Sequence, residues 1–232
     1  AKPVRCLESV PFFMMAGTPK PLLIFDFDGT LANTIETGIQ IYNELATGYG
    51  LRSVTISEVR ELRKLNTRAL LDELGISRLM AVKLGAYIRK VLHDRMDEVG
   101  MIRGTREAVR ELHREGFRLG ILSSNSAENV RMIMRRFELL DCFSFIEAGA
   151  SLFGKPHRIA QVLKKTGIVP SRAMYVGDET RDMEAARKTQ VSGVAVCWGA
   201  NGREAMETEG PDFCIDDPSE LISCARTFAS EK

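Results

Sequence analysis

Long apolar runs, zinc-spaced histidines and closely paired cysteines are all missing from this 232-residue sequence. No apolar stretch reaches the roughly 20 residues that a membrane helix needs, so a membrane span is not expected. The three histidines, His93, His113 and His157, stand too far apart for a zinc ligand set. The five cysteines, Cys6, Cys142, Cys197, Cys214 and Cys224, are odd in number and contain no Cys-x-x-Cys pair. That speaks against a disulfide framework and for free thiols in a reducing, cytoplasmic setting. An excess of one charge sign is lacking too. The 32 basic and 31 acidic side chains leave a formal charge of +1, and with it no field to draw nucleic acid or an anionic membrane. Internal repeats and low-complexity tracts are absent as well. What remains has the composition of a globular chain, long enough for one sizeable α/β core with or without a small domain.

The chain is organised around Leu22-Leu23-Ile24-Phe25-Asp26-Phe27-Asp28-Gly29-Thr30-Leu31, an apolar run that ends in two carboxylates one residue apart. Such a run predicts a strand covered on both faces, as in a parallel sheet, delivering acids to its C-terminal edge. Period-two alternation sends Asp26 and Asp28 toward one crevice and Phe27 into the core. Two close carboxylates repel, so one must be protonated, metal-bound or paired with a cation. Taken alone, the pair reads equally well as turn acids capping a following helix.

Residues 1–20 read as an extension ahead of the fold, with Phe12 and Phe13 available to hold it against the core; Ala16-Gly17-Thr18 looks like a linker more than a cleavage site. After Thr30 the apolar spacing turns helical at Ile35, Ile39, Tyr42 and Leu45. Thr55 and Glu58 form a capping-box pattern, with Val59, Leu62 and Leu65 continuing an apolar face. A further helix is expected over 77–97 with Leu79, Val82, Ala86, Ile88, Val91 and Leu92 inward, and Gly75 and Gly85 as punctuation. A small helical domain at 34–100 is therefore expected, inserted between the first strand and the rest of the core. From Thr105 onward helices and strands alternate: strands near 118–123, 143–147, 173–177 and 193–197, an edge strand near 212–215, and helices near 105–115, 126–139, 157–165, 181–188 and from Asp217. That alternation predicts a parallel sheet with crossover helices on both faces.

Three later stretches carry chemistry. Leu119-Gly120-Ile121-Leu122-Ser123-Ser124-Asn125 ends a strand in hydroxyls before a helix N-terminus, a cup for phosphate oxygens or simply a capped helix. Phe153-Gly154-Lys155-Pro156 places a lysine in a loop before a helix, where most lysines are solvated surface. Met174-Tyr175-Val176-Gly177-Asp178-Glu179-Thr180-Arg181-Asp182 is a strand, a glycine turn and acids entering a helix, where acids are also favoured by the helix dipole alone.

In this order the four stretches resemble the motifs of the haloacid dehalogenase-like hydrolases, and the resemblance extends from Leu22 to Phe228. Val194-Ala195-Val196-Cys197-Trp198-Gly199-Ala200-Asn201-Gly202-Arg203 is similar to the phosphoglycolate phosphatase-like branch. The resemblance implies a Rossmann-like core (residues 21–33 and 101–232) with a helical cap. It also implies a phosphatase acting on a small phosphorylated metabolite, phosphoglycolate-like, through an aspartyl-phosphate. In that picture Asp26 is the nucleophile and Asp28 the acid and base, while Ser123 and Lys155 stabilise the phosphoryl oxygens. Mg²⁺ is held by Asp26, Asp178, Asp182 and the Asp28 carbonyl, since hard oxygen donors suit it and neither sulfur nor imidazole is offered. Thr30, Ser124 and Asn125 line the phosphate loop. Arg63, Lys64, Asn66 and Arg68, near a turn in the cap, are candidates for the non-phosphate end of the substrate, or else a solvated helix face. The acid at Asp28 points to phosphoryl transfer, because dehalogenation needs no acid there. A phosphomutase or pyrophosphatase would share every core residue named, and a non-catalytic binding protein would have no need of so many acids. Oligomeric state is not addressed by any of these features.

Overall fold

The computed structural model describes residues 20–65, 67–149 and 154–231. The N-terminal extension with Phe12 and Phe13, and the residues Asn66 and Phe153, lie outside the described residues.

Six parallel strands form one sheet: β1 (Leu22–Phe25), β2 (Arg118–Leu122), β3 (Phe143–Glu147), β4 (Ala173–Gly177), β5 (Ser192–Val196) and β6 (Phe213–Ile215). Their order across the sheet is β3-β2-β1-β4-β5-β6. The first strand therefore sits centrally, between β2 and β4, and the strand order reverses beside it. Open α/β sheets bind ligands at the carboxyl ends of strands at such a reversal.

The four residues of β1 are buried throughout, and their alternation divides the core in two. Leu23 and Phe25 face the layer built by α5 (Thr105–Arg114), α6 (Ala127–Arg136) and α10 (Glu220–Ser230), through Val109, Leu112, Ile133, Met134 and Phe228. Leu22 and Ile24 face α7 (Lys155–Thr166) and α8 (Thr180–Thr189), through Ile159, Val162, Ala185 and Ala186. Each such side chain contributes about 1.5–3 kcal/mol on burial, enough to hold the strand end in place against the charges placed beyond it.

Close packing is tightest where the Phe145 ring of β3 lies over Gly120 of the neighbouring β2. A Cβ added at Gly120 would lie 2.0 Å from the Phe145 ring. Gly120→Ala is therefore expected to cost about 1–3 kcal/mol by overpacking, read as a lower denaturant midpoint with unchanged slope.

Between β1 and α5 lie α1 (Thr34–Ala46), α2 (Ile56–Leu62), α3 (Thr67–Glu73) and α4 (Arg78–Asp94). They share an apolar cluster of Tyr42, Ala46, Val54, Ile76 and Leu84. The capping box forms as expected: the Glu58 carboxylate accepts the Thr55 N–H at 2.8 Å. The far end of this segment is fused to the main core through Ile41, Leu92, Met96 and Val99.

Several expectations need correction. In α4, Leu79, Val82 and Ala86 are exposed, Leu79 by 69%. At 100° per residue they form a stripe opposite Leu84, Ile88, Val91 and Leu92, and only the latter packs on the cluster and core. The helix carries two apolar stripes, and sequence spacing merges them into one. Gly85 interrupts nothing and lies inside α4, whereas Gly75 does turn the chain, at φ 65°. The segment after α2 breaks into a separate α3. Lys155 is the first residue of α7 rather than a loop residue, because Pro156 suits a first helical turn. The last helix begins at Glu220, after a turn in which Asp217 accepts from Ser219 N–H at 2.9 Å and Glu220 accepts from Asp217 N–H at 2.9 Å. A short α9 (Arg203–Glu207) was not expected.

Candidate active site

Asp26 is the first residue beyond β1, and its N–H still donates to Val176 O of β4 at 2.8 Å. Anchored this way, the residue is only 5% exposed. One oxygen accepts the Phe27 N–H at 2.7 Å and the other accepts from Lys155 Nζ at 2.7 Å. Phe27 is buried in the core, as alternation requires.

Lys155, at the start of α7, also pairs with Asp182 in the first turn of α8. Burial alone would favour a neutral amine, but Asp182 and Asp26 overcome it and hold the Lys155 pKa well above its ordinary range. The ammonium is therefore a fixed charge.

Asp178 follows β4 and is 1% exposed. Thr30 Oγ1 donates to one of its oxygens and the Ala200 N–H to the other, each at 2.7 Å. Backbone approaches it from two sides. A Cβ at Gly29, where φ is 73°, would lie 2.2 Å from Asp178 Oδ2, and one at Gly199 would lie 2.2 Å from its Cβ. Only glycine tolerates both the positive φ at 29 and that proximity. Burial first, then the charges of Glu179, Asp26 and Asp182, push the Asp178 pKa well up. Burial likewise raises Asp182, with Lys155 opposing.

Ligand oxygens of Asp26, Asp178 and Asp182 lie within 4.8 Å of one another, and all three residues are buried. One ammonium faces these three carboxyl groups, so with all three ionised the cluster carries excess negative charge, which a divalent cation would balance. Oxygen-only donors fit a hard cation such as Mg²⁺.

Asp28 stands beside this cluster, half-buried. It accepts from Asn125 Nδ2 at 2.9 Å, and Ser123 Oγ lies at 3.5 Å. Burial, followed by the Asp26 charge, raises its pKa to about 6, against the lowering effect of bonds from Asn125 and Thr34. Asn125 is itself spent on structure: its Oδ1 accepts from Ser126 N–H and Asn129 Nδ2, each at 2.8 Å. Its side chain thereby ties Asp28 to the start of α6. Ser123 is buried and Ser124 half-buried in the same loop.

The cap residues divide. Arg63 bridges to the core, donating to Cys197 O while its own carbonyl accepts from Gly202 N–H at 2.8 Å. Arg68 lines a 660 Å³ cleft with Lys155, Thr180 and Arg181. Lys64 is exposed and pairs with Glu61 at 2.9 Å. Asn66 lies outside the described residues.

Sequence reasoning missed the grip of the loop after β5. Besides Ala200, Trp198 Nε1 donates to Thr30 O at 3.1 Å, and Asn201 N–H donates to Asp178 O at 2.9 Å. The side chain of Asn201 accepts from Thr180 N–H and donates to Leu65 O of the cap. The compact Trp-Gly-Ala-Asn run was the available signal, since a glycine beside a large aromatic invites a close backbone approach.

No helix among the described residues is long and apolar enough to cross a membrane. The family model for haloacid dehalogenase-like hydrolases matches residues 23–196. A phosphoglycolate phosphatase of Synechococcus elongatus is 34% identical over 200 residues, covering 86% of this chain and 94% of the relative. The pyrophosphatase PpaX of Bacillus cereus is 28% identical over 207 residues, with the same coverage of 86% and 94%. A haloacid dehalogenase-like family hydrolase from Streptococcus pneumoniae shares the fold at a TM-score of 0.72 and 20% identity, covering 90% of this chain and 99% of that one. The chain thus belongs to the haloacid dehalogenase-like hydrolases, on their phosphoglycolate phosphatase-like branch.

Proposed function

We propose that this phosphatase hydrolyses a small phosphorylated metabolite, phosphoglycolate-like in carrying a second anionic group, through an aspartyl-phosphate on Asp26. The observation that carries this reading is the meeting of Asp26 with Lys155 at 2.7 Å and with Asp178 and Asp182 in one buried cluster. Asp26, Asp178 and Asp182 would hold Mg²⁺, which when bound offsets the like charges of Asp26 and the phosphate.

In the first half-reaction an Asp26 oxygen attacks phosphorus and the bond to the leaving oxygen breaks. The Asp28 acid gives its proton to that oxygen. Asp28, now a carboxylate, then takes a proton from the water that attacks the phosphorus. Phosphate leaves and the Asp26 carboxylate returns. Ser123 and the Lys155 ammonium stabilise the charge that spreads over the equatorial oxygens. Residues 34–100 act as the cap over the core of 21–33 and 101–232 and close over the site, keeping bulk water out until substrate is bound. Arg68, a cap cation in the same cleft as Lys155, would meet the second anionic group, with Arg78 of the cap lining that cleft as well.

Phosphate release across a panel of phosphorylated metabolites, with and without Mg²⁺, tests this reading. Release that depends on Mg²⁺ and is strongest for small anionic phosphomonoesters is expected. Full release in the presence of a chelator would overturn the metal assignment. Pyrophosphate belongs on the panel because the Bacillus cereus relative is a pyrophosphatase, and preference for it would select that second reading.

Asp28 sets the pH dependence. Its raised value of about 6 keeps the acid form available at mildly acidic pH, so kcat/KM is expected to fall above pH 6 as the proton is lost. Asp28→Asn should remove this limb and slow release about 10²–10⁴-fold. The stability effect runs the other way from a salt bridge. A carboxyl whose folded pKa is raised binds more protons folded than unfolded, so stability falls as pH rises from about 4 to about 6. With partial exposure allowed for, Asp28→Asn should gain on the order of 1–2 kcal/mol at pH 7, measured by denaturation without metal.

A further inference from the structure

We propose that Cys197 and Cys214 form a redox modification site, a thiol pair that a two-electron oxidant of the hydroperoxide class converts to a disulfide, loosening the hold on Asp178. The two residues, 17 positions apart, are brought together by parallel pairing of β5 with β6. Cys214 lies opposite Ala195, and Cys197 follows on the same face two residues later, with its N–H on Ile215 O at 2.9 Å. Their sulfurs are 3.3 Å apart and both residues are half-buried, so a small oxidant can reach them. A disulfide is about 2.05 Å long, so closure needs a movement of roughly 1.3 Å.

The chemistry balances as follows. The Cys214 thiolate attacks one peroxide oxygen; the sulfur–oxygen bond forms, the oxygen–oxygen bond breaks, and hydroxide leaves to become water with the thiol proton. The Cys197 sulfur then attacks the sulfenic sulfur; the disulfide forms, the sulfur–oxygen bond breaks, and a second water leaves with the Cys197 proton. Two thiols are oxidised and one peroxide is reduced. Burial, then the Cys214 sulfur, pushes the Cys197 thiol up to about 12, which disfavours Cys197 as the first nucleophile.

Position gives the bond its consequence. Cys197 opens the loop that holds Asp178 through Ala200 and Asn201, reaches Thr30 through Trp198, and receives Arg63 of the cap on its own carbonyl. Gly199, two residues from the sulfur, already touches Asp178 with no room to spare. Drawing Cys197 toward β6 pulls this loop off the carboxylate. The effect on turnover rests on the role proposed above for Asp178, whereas the disulfide itself does not.

The test uses the full chain and hydrogen peroxide. Trp198 is the sole tryptophan, so its fluorescence reports the neighbouring sulfur directly. Expected are the loss of two thiols, a Cys197–Cys214 peptide link by mass, a change in Trp198 fluorescence, and at least a tenfold fall in phosphate release, all reversed by dithiothreitol. Cys214→Ser should keep basal release and lose every one of these responses. Oxidation of single thiols only, or pairing through Cys6, Cys142 or Cys224, would overturn the site. A Cys197–Cys214 link with unchanged release would overturn its coupling to Asp178. A reduced enzyme inactive on the whole panel would count against the functional reading alone, because the mass and fluorescence responses read the bond without turnover.

Discussion

Asp26→Asn is expected to abolish phosphate release, by at least about 10³-fold, in a protein that still folds. The amide has nearly the shape of the carboxylate and can keep the bond from Phe27 N–H, but it carries no anionic oxygen to attack phosphorus. The fold survives for two reasons. Lys155 retains Asp182 as its partner, and removing one of several crowded acids relieves repulsion among those that remain. Release assays paired with a thermal melt check both halves. Full activity in the variant would remove Asp26 as the nucleophile.

Lys155→Met should be costly in a different way. Lys155 is the one ammonium bonded to Asp26 and Asp182 among the described residues, and it is 6% exposed. Its loss strands two buried carboxylates, a change that costs about 3–5 kcal/mol when a buried pair is broken from one side. Activity should fall about 10²-fold or more, because charge developing on the phosphoryl oxygens loses a fixed donor. The two effects separate by adding Mg²⁺. A cation bound by the folded state alone restores stability by mass action, whereas the missing ammonium still slows turnover. Denaturant melts of the variant with chelator and with Mg²⁺ make the comparison. Equal stability of variant and parent in chelator would show that the ion pair contributes nothing net.

Much of the sheet was legible because buried parallel strands are short apolar runs with abrupt ends. The strands at 143–147 and 173–177 lie where spacing put them, and Asp26, Ser123 and Asp178 each stand just past such an end. The helical insertion was harder. Its α4 carries apolar residues on two opposite faces, and which face is covered depends on the position of α1 and on Leu92 reaching the main core. Periodicity finds a helix but does not choose between two candidate faces.

Local sequence, then, determined which side chains end the strands and what chemistry they carry, because strand and turn preferences act over a few residues. Tertiary structure alone decided how those groups are held: Lys155 between Asp26 and Asp182, Asn125 on Asp28, and the Trp198–Asn201 loop around Asp178. Each is a contact between residues from 22 to 168 positions apart. It exists only because parallel pairing brings the carboxyl ends of separate strands to one edge of the sheet.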